Sequence, residues 1–216
     1  MSTRPRTALL AGATGLVGSH ILQALLADAN VAQVVVLARR PLTLSHPKLL
    51  VTVVAFDRLP ALPPVDEAYL ALGTTIKVAG SQAAFKAVDV DANLAVARAA
   101  VAAGARRVGV VSAVGASAGS GVFYNRMKGE LEDALKALPL QALVIAQPSL
   151  LLGDRSTLAQ PARLGERLAM PLMRLVAPLL PGIYRPVQAQ AVAQALVATV
   201  PQAQGVCVLN SGQMAR

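Results

Sequence analysis

Gly12, Gly15 and Gly18 recur at every third position between an apolar run and a helical pattern, and no other feature limits the fold as strongly. Residues 7–11 (Thr-Ala-Leu-Leu-Ala) read as a strand, and from Leu16 the residues Ile21, Leu22, Leu25 and Leu26 fall on one helical stripe. Strand, glycine turn and helix together are the setting in which such a motif can hold a dinucleotide. Gly12 lets the chain turn sharply, Gly15 lets backbone amides approach a pyrophosphate, and Gly18 lets the helix sit close on its strand. Unpaired N–H groups and the positive dipole end of the helix then face the phosphates. The spacing is G-x-x-G-x-x-G rather than the more familiar G-x-G-x-x-G.

Downstream, strand-like runs continue to alternate with helical ones, which predicts an α/β fold with a mostly parallel sheet. Strands are expected at Val31–Ala38, 49–56, 67–72, 107–112, 140–147 and 205–209, and helices at Leu16–Ala27, 83–103, 124–138 and 187–200. Gly104 stands where a helix C-terminal glycine belongs, Pro139 stops the helix before it, and Pro60, Pro63 and Pro64 leave no room for a long helix in their connection. Residues 148–186 carry several prolines around short helical pieces and read as a small cap on the substrate side of one domain spanning residues 1–216. The Leu- and Met-rich stretch 164–180 within it suits a lid, a subunit interface or a membrane-surface contact, the lid being preferred.

Composition excludes several classes. Apolar residues make up 55% of the 216, yet no run reaches the about 18–20 uninterrupted apolar residues of a spanning helix. The opening Met-Ser-Thr-Arg-Pro-Arg runs straight into the first strand, so no cleavable signal is expected and the cytoplasm is the expected location. A single cysteine, Cys207, forms no internal disulfide, and with only His20 and His46 beside it no metal site is expected. The net charge of +9 raises the question of nucleic acid. The basic residues are scattered or paired, and with 3% aromatics and no Trp there is no stacking platform, so nucleic acid is not an expected partner.

The end of the second strand selects the cofactor. A site for an unphosphorylated dinucleotide places an acid about 20 residues past the glycines to bind the adenosine ribose. Here Arg39 and Arg40 stand there, with no acid beside them. Guanidinium groups bind a 2′-phosphate through charge-assisted, often bidentate bonds, which favours NADP(H). Asp57, after the third run, is placed to reach the adenine amino group.

Chemistry gathers in the second half. Tyr124 and Lys128 lie four residues apart, on one face of a helix. A free phenol ionises near pH 10, and a neighbouring ammonium favours its phenolate, so the two types at this spacing suit proton transfer. They follow Val110-Val111-Ser112 and a loop of Gly, Ala and Ser, at the end of the sheet where cofactors bind. The Ser112 hydroxyl at the strand end can hold a substrate carbonyl oxygen while Tyr124 passes the proton.

Four segments in order, Gly12-Ala-Thr-Gly-Leu-Val-Gly18, Leu72-Gly-Thr-Thr75, Val111-Ser-Ala-Val-Gly-Ala116 and Tyr124-x-x-x-Lys128-Gly129-Glu130, resemble the atypical short-chain dehydrogenase/reductases. The resemblance runs over roughly residues 7–155 and is nearest to the branch of the Tat-interacting oxidoreductase and its bacterial NAD(P)-binding relatives. It implies a Rossmann-like, doubly wound sheet with Thr14, Gly15, Leu16 and Val17 around the pyrophosphate. It also implies Leu72 and Gly73 on the adenosine side, Lys128 on the nicotinamide ribose and Leu151 beside the nicotinamide, and Arg39 and Arg40 fall where that branch has its own arginine pair. The chain departs from the pattern where Ala113 replaces a second serine, leaving Ser112 as the substrate-orienting hydroxyl with Ser117 as the alternative. It departs again where Gln147-Pro148-Ser149 replaces Arg-Pro-Gly, while Asp89 matches the pattern without an evident role.

The function expected from these residues is an NADP(H)-dependent oxidoreductase acting on a small carbonyl or alcohol, with homo-oligomerisation left open. The alternative is a protein that binds NADP(H) as a redox signal and contacts a partner without turnover; one scaffold serves both. A nucleotide-sugar epimerase would need a larger substrate domain than the cap can supply.

Overall fold

The computed structural model describes residues 5–153 and 181–215. Seven strands form one sheet, β1 (Arg6–Ala11), β2 (Val31–Ala38), β3 (Leu49–Val53), β4 (Glu67–Leu70), β5 (Arg107–Val111), β6 (Ala142–Gln147) and β9 (Gly205–Asn210). Their order is β3-β2-β1-β4-β5-β6-β9, and every pairing is parallel. Strand order reverses between β1 and β4, which opens a crevice at their C-terminal ends; in open α/β sheets this is where ligands bind. This is the doubly wound Rossmann-like fold expected from the alternating pattern.

Both faces of the sheet are covered, so its central strands are mostly apolar, and β4 is buried along its whole length with Glu67 as its one charged residue. Helix α1 (Leu16–Ala27) and helix α6 (Ala189–Thr199) pack on one face. Ile21, Leu22 and Leu25 of α1 meet Val192, Ala193 and Leu196 of α6 in one core cluster. On the other face lie α4 (Asn93–Ala102) and α5 (Phe123–Lys136), with Phe85, Val96, Ala97, Leu131 and Leu135 in the second cluster.

Most expected boundaries agree, and the differences have local causes. The third strand stops at Val53, because the Val54 amide makes the last bond to Ala38 and the chain then turns between Ala55 and Arg58. Strand β4 stops at Leu70, the Ala71 amide binds the Ala11 carbonyl, and the chain then leaves the sheet. The helix expected over 83–103 is three pieces: α3 (Gln82–Lys86), capped by Ser81; a π-helical segment over Ala87–Ala92; and α4. Two short helices were not expected. Helix α2 (Ile76–Ala79) has Thr75 as N-cap and Gly80 at its end with φ of 81°, and α7 (Ser211–Met214) has an Asn210–Gln213 capping box.

Of the expected cap, the structure describes its two ends. The first holds β7 (Leu151–Leu152) and the second a 3-10 turn at Gly182–Tyr184; β7 pairs in parallel with β8 (Val187–Gln188), just past the cap, where the helix was expected to begin. The lid reading of 164–180 lies outside the described residues. Among the described residues no helix is long and apolar enough to cross a membrane.

Candidate functional site

The site grows from the first turn of the chain after β1. Gly12 has φ of 93°, and a Cβ there would lie 2.3 Å from the Ala71 carbonyl oxygen, so only glycine lets β1 and the end of β4 meet. A Cβ on Gly18 would lie 2.0 Å from the Gly12 carbonyl oxygen; its absence lets α1 start directly on the turn. Gly15 is the N-cap of α1, and no side chain caps that helix. The first amides of α1 therefore have no partner within the helix. An uncapped twelve-residue helix with a glycine-only approach fits a pyrophosphate on both shape and charge. Thr14 is exposed on this turn, Leu16 is half-buried and Val17 is buried in the core.

Arg39 and Arg40 follow the last residue of β2, both exposed, and neither forms an ion pair among the described residues. Asp57 is exposed in the turn after β3. Leu72 and Gly73 open the loop after β4, beside the glycine turn. Leu151 is half-buried in β7, packed against the α1–α6 core, and a Cβ on neighbouring Gly153 would lie 2.8 Å from Leu16 Cδ1. Apart from the buried Val17 and Gly18, the expected cofactor residues thus lie at one rim, formed by the C-terminal ends of the strands.

Helix α5 brings the catalytic candidates to that rim. Tyr124, in its first turn, is 37% exposed, while Lys128 one turn later is 4% exposed. The Lys128 ammonium lies 5.9 Å from the centre of the Tyr124 ring. Phe85, fully buried, meets the Tyr124 ring edge-to-face at 5.9 Å and the Phe123 ring at 5.6 Å. The helix is held to the loop before it by Gly129, where a Cβ would lie 2.1 Å from the backbone of Ser117.

Ser112 is 3% exposed, and its hydroxyl donates to the buried Glu132 carboxylate, which also accepts two bonds from the Gln147 side-chain amide at 2.9 and 3.2 Å. Ser117, the alternative, is exposed in the loop and its amide donates to the Asn125 carbonyl. The sequence reading did not anticipate this network or the position of Phe85. A signal existed: Glu132 stands four residues after Lys128, on the face of α5 that also buries Leu131 and Leu135. A carboxylate there needs internal donors.

Asp89, singled out in the sequence without an evident role, acquires one here. It lies in the π-helical segment, 1% exposed, and its two oxygens bind the Lys128 ammonium at 2.7 Å and the Thr74 amide at 2.8 Å. Asn93, one turn further, donates to the Leu72 carbonyl at 3.1 Å. Insertions of this kind within α-helices occur often at functional sites, because they re-aim a side chain.

Comparison with known proteins places the chain in a nucleotide-binding family. The NAD(P)H-binding family profile matches residues 12–202. A curated relative, Protein FMP52, mitochondrial, of Coccidioides immitis, is 36% identical over 165 residues, covering 69% of this chain and 67% of that protein. A short chain dehydrogenase family protein from Francisella tularensis superposes with a TM-score of 0.70 at 14% identity, covering 98% of this chain and 99% of that one. MoeE5 in complex with UDP-glucose and NAD gives 0.68 at 20% identity, covering 94% of this chain and 75% of that one. The two structures share the fold. The mitochondrial designation of the relative overturns the cytoplasmic location expected from the sequence. Hydropathy and the lack of a spanning run do not encode an organelle, whose address is read by receptors.

Proposed function

The chain belongs to the NAD(P)H-binding family, and from that premise we propose that it is an NADP(H)-dependent oxidoreductase of the short-chain dehydrogenase/reductase type, acting on a small carbonyl or alcohol. The observation that carries this reading is the uncapped, glycine-lined start of α1 after β1, with two arginines at the end of the adjacent strand β2 that form no ion pair among the described residues. The first suits a diphosphate and the second a 2′-phosphate, with no carboxylate beside it to repel that phosphate. The four-segment pattern supports the branch of the Tat-interacting oxidoreductase within the family.

Gly12, Gly15 and Gly18 make the approach to the pyrophosphate, with Thr14, Leu16 and Val17 around it. Arg39 and Arg40 take the 2′-phosphate, Asp57 the adenine amino group, and Leu72 and Gly73 the adenosine face. Leu151 packs beside the nicotinamide, and Lys128 bonds its ribose. When bound, the nicotinamide supplies a hydride to the carbonyl carbon, or takes it from the alcohol carbon. The protein handles the proton: in reduction Tyr124 donates its phenolic hydrogen to the carbonyl oxygen as the carbon gains the hydride, and solvent restores it at the exposed side of the ring. Phe85 and Phe123 hold that ring at the rim. Ser112 is the oxygen-orienting group at the strand end.

One observation favours the second reading, a redox sensor without turnover: the Ser112 hydroxyl hydrogen already belongs to Glu132. Substituting Tyr124→Phe and following NADPH consumption over a panel of aldehydes and ketones separates the two. Loss of turnover by about 10²-fold or more with NADPH binding retained is expected for the enzyme. Tight NADPH binding by the unsubstituted protein with no turnover across the panel would favour the sensor.

A further inference from the structure

We propose that Asp89 is a positioning residue that sets the Lys128 ammonium and the Leu72–Thr75 loop against each other, so that one carboxylate aligns the nicotinamide side of the site with the adenosine side. The proposal rests on the NADP(H) reading above. Both Asp89 oxygens are committed, one to Lys128 Nζ at 2.7 Å and the other to the Thr74 amide at 2.8 Å. The loop closes over the carboxylate at Gly73, where a Cβ would lie 3.5 Å from Oδ1. Asn93 completes the clamp with its amide donating to the Leu72 carbonyl and to the Asp89 carbonyl at 3.0 Å.

Lys128 and Asp89 are both buried, and a buried ammonium deprived of its carboxylate does not stay in place. The other charged group on that face of α5, Glu132, is occupied by Ser112 and Gln147 and does not pair with Lys128. Among the described residues, Asp89 is therefore the carboxylate that fixes the ammonium. The π-helical turn brings this carboxylate out of the helical register to reach both partners at once.

Asp89→Asn separates its two duties, because the side-chain amide still offers an oxygen to the Thr74 N–H but no charge to Lys128. Binding of NADPH is measured beside binding of adenosine 2′,5′-bisphosphate, which has the adenosine end and no nicotinamide. The substitution is expected to weaken NADPH about tenfold or more while leaving the bisphosphate within about twofold of the unsubstituted protein. In a Lys128→Met background the same substitution is expected to have no further effect on NADPH, since the group it acts through is gone. That double variant removes both buried charges, so it also serves if Asp89→Asn alone does not fold. Equal weakening of both ligands, no weakening of either, or an undiminished effect in the Lys128→Met background would overturn the proposal. If the unsubstituted protein binds the bisphosphate but shows no preference for whole NADPH, the positioning role falls while the adenosine-side reading stands. If it binds neither ligand, the NADP(H) reading falls and takes this proposal with it.

Discussion

On the proposed reading, Arg39 and Arg40 concentrate cofactor choice in two side chains. Both are exposed and free of carboxylate partners among the described residues, so neither must break an ion pair to reach a phosphate. A hydrogen bond to a charged group contributes about 1.5–3 kcal/mol, and solvent screening at an exposed site pulls the value towards the lower end. Replacing both by alanine is therefore expected to lower NADPH affinity by tenfold or more and leave NADH affinity near its starting value. Titration of the variant with each nucleotide checks this; an unchanged preference would mean that these arginines do not touch the 2′-phosphate. The pair was legible in the sequence because a guanidinium at a strand end needs no tertiary partner to be recognised. The buried groups were harder to read. Asp89, Glu132 and Asn93 acquire their roles from residues 15 to 39 positions away, such as Thr74 and Lys128, and no local pattern brings those partners together.

At the scale of elements, α1 and β2 were readable to the residue, since a clean helical stripe and a β-branched run each end at obvious breakers. The π-helical segment was not, because a continuous apolar spacing over 82–102 gives no sign that one turn is widened. The opposite end of the sheet holds a second arrangement that the sequence hid. Arg6 at the start of β1 binds Asp28 after α1 and the buried Glu67 at the start of β4, and the fully buried Tyr69 donates its hydroxyl to Glu67 at 3.0 Å. Burial, and then the neighbouring Glu67 charge, push the Tyr69 phenol well above its ordinary range. Burial also raises the Glu67 carboxyl against the pull of Arg6, whereas Asp28 ends below its ordinary value because the Asn30 amide and Arg6 outweigh its own partial burial. The two carboxyls oppose each other as the pH falls, so the acid limb carries little of the cluster's signature. The alkaline limb does carry it. A phenol raised in the folded state keeps a proton that the unfolded chain loses, so stability is whole below about pH 10 and declines as the pH rises beyond it. Tyr69→Phe is expected to remove that decline while costing about 1–3 kcal/mol at neutral pH, where Glu67 loses a buried donor. Denaturant midpoints measured at neutral pH and above pH 10 test both halves, and an equally steep alkaline loss in the variant would refute the assignment.

For the molecule as a whole, the fold followed from repeated alternation, but the crevice is a property of strand order, which no single segment contains. Reversal between β1 and β4 gathers the glycine turn, the end of β2, the loop after β4 and the start of α5 at one rim. These segments come from residues 12 to 128, so a dinucleotide spanning them ties distant parts of the chain together in the folded state only. Ligand linkage then stabilises the protein by about 2.7 kcal/mol at a concentration one hundred times the dissociation constant. For a chain of this size that corresponds to a rise of about 5–10 °C in the unfolding midpoint. On the proposed reading, a fragment holding only the adenosine end would reach the glycine turn, β2 and the β4 loop but not α5. NADPH at saturation is therefore expected to slow amide exchange in the first turns of α5 as well as at the glycine turn, and adenosine 2′,5′-bisphosphate to slow it at the glycine turn but not in α5. Protection of the glycine turn without any change in α5 under NADPH would separate the two halves of the rim and remove Tyr124 and Lys128 from the cofactor's reach. An unfolding midpoint indifferent to millimolar NADPH and NADH alike would remove the cofactor from the rim altogether.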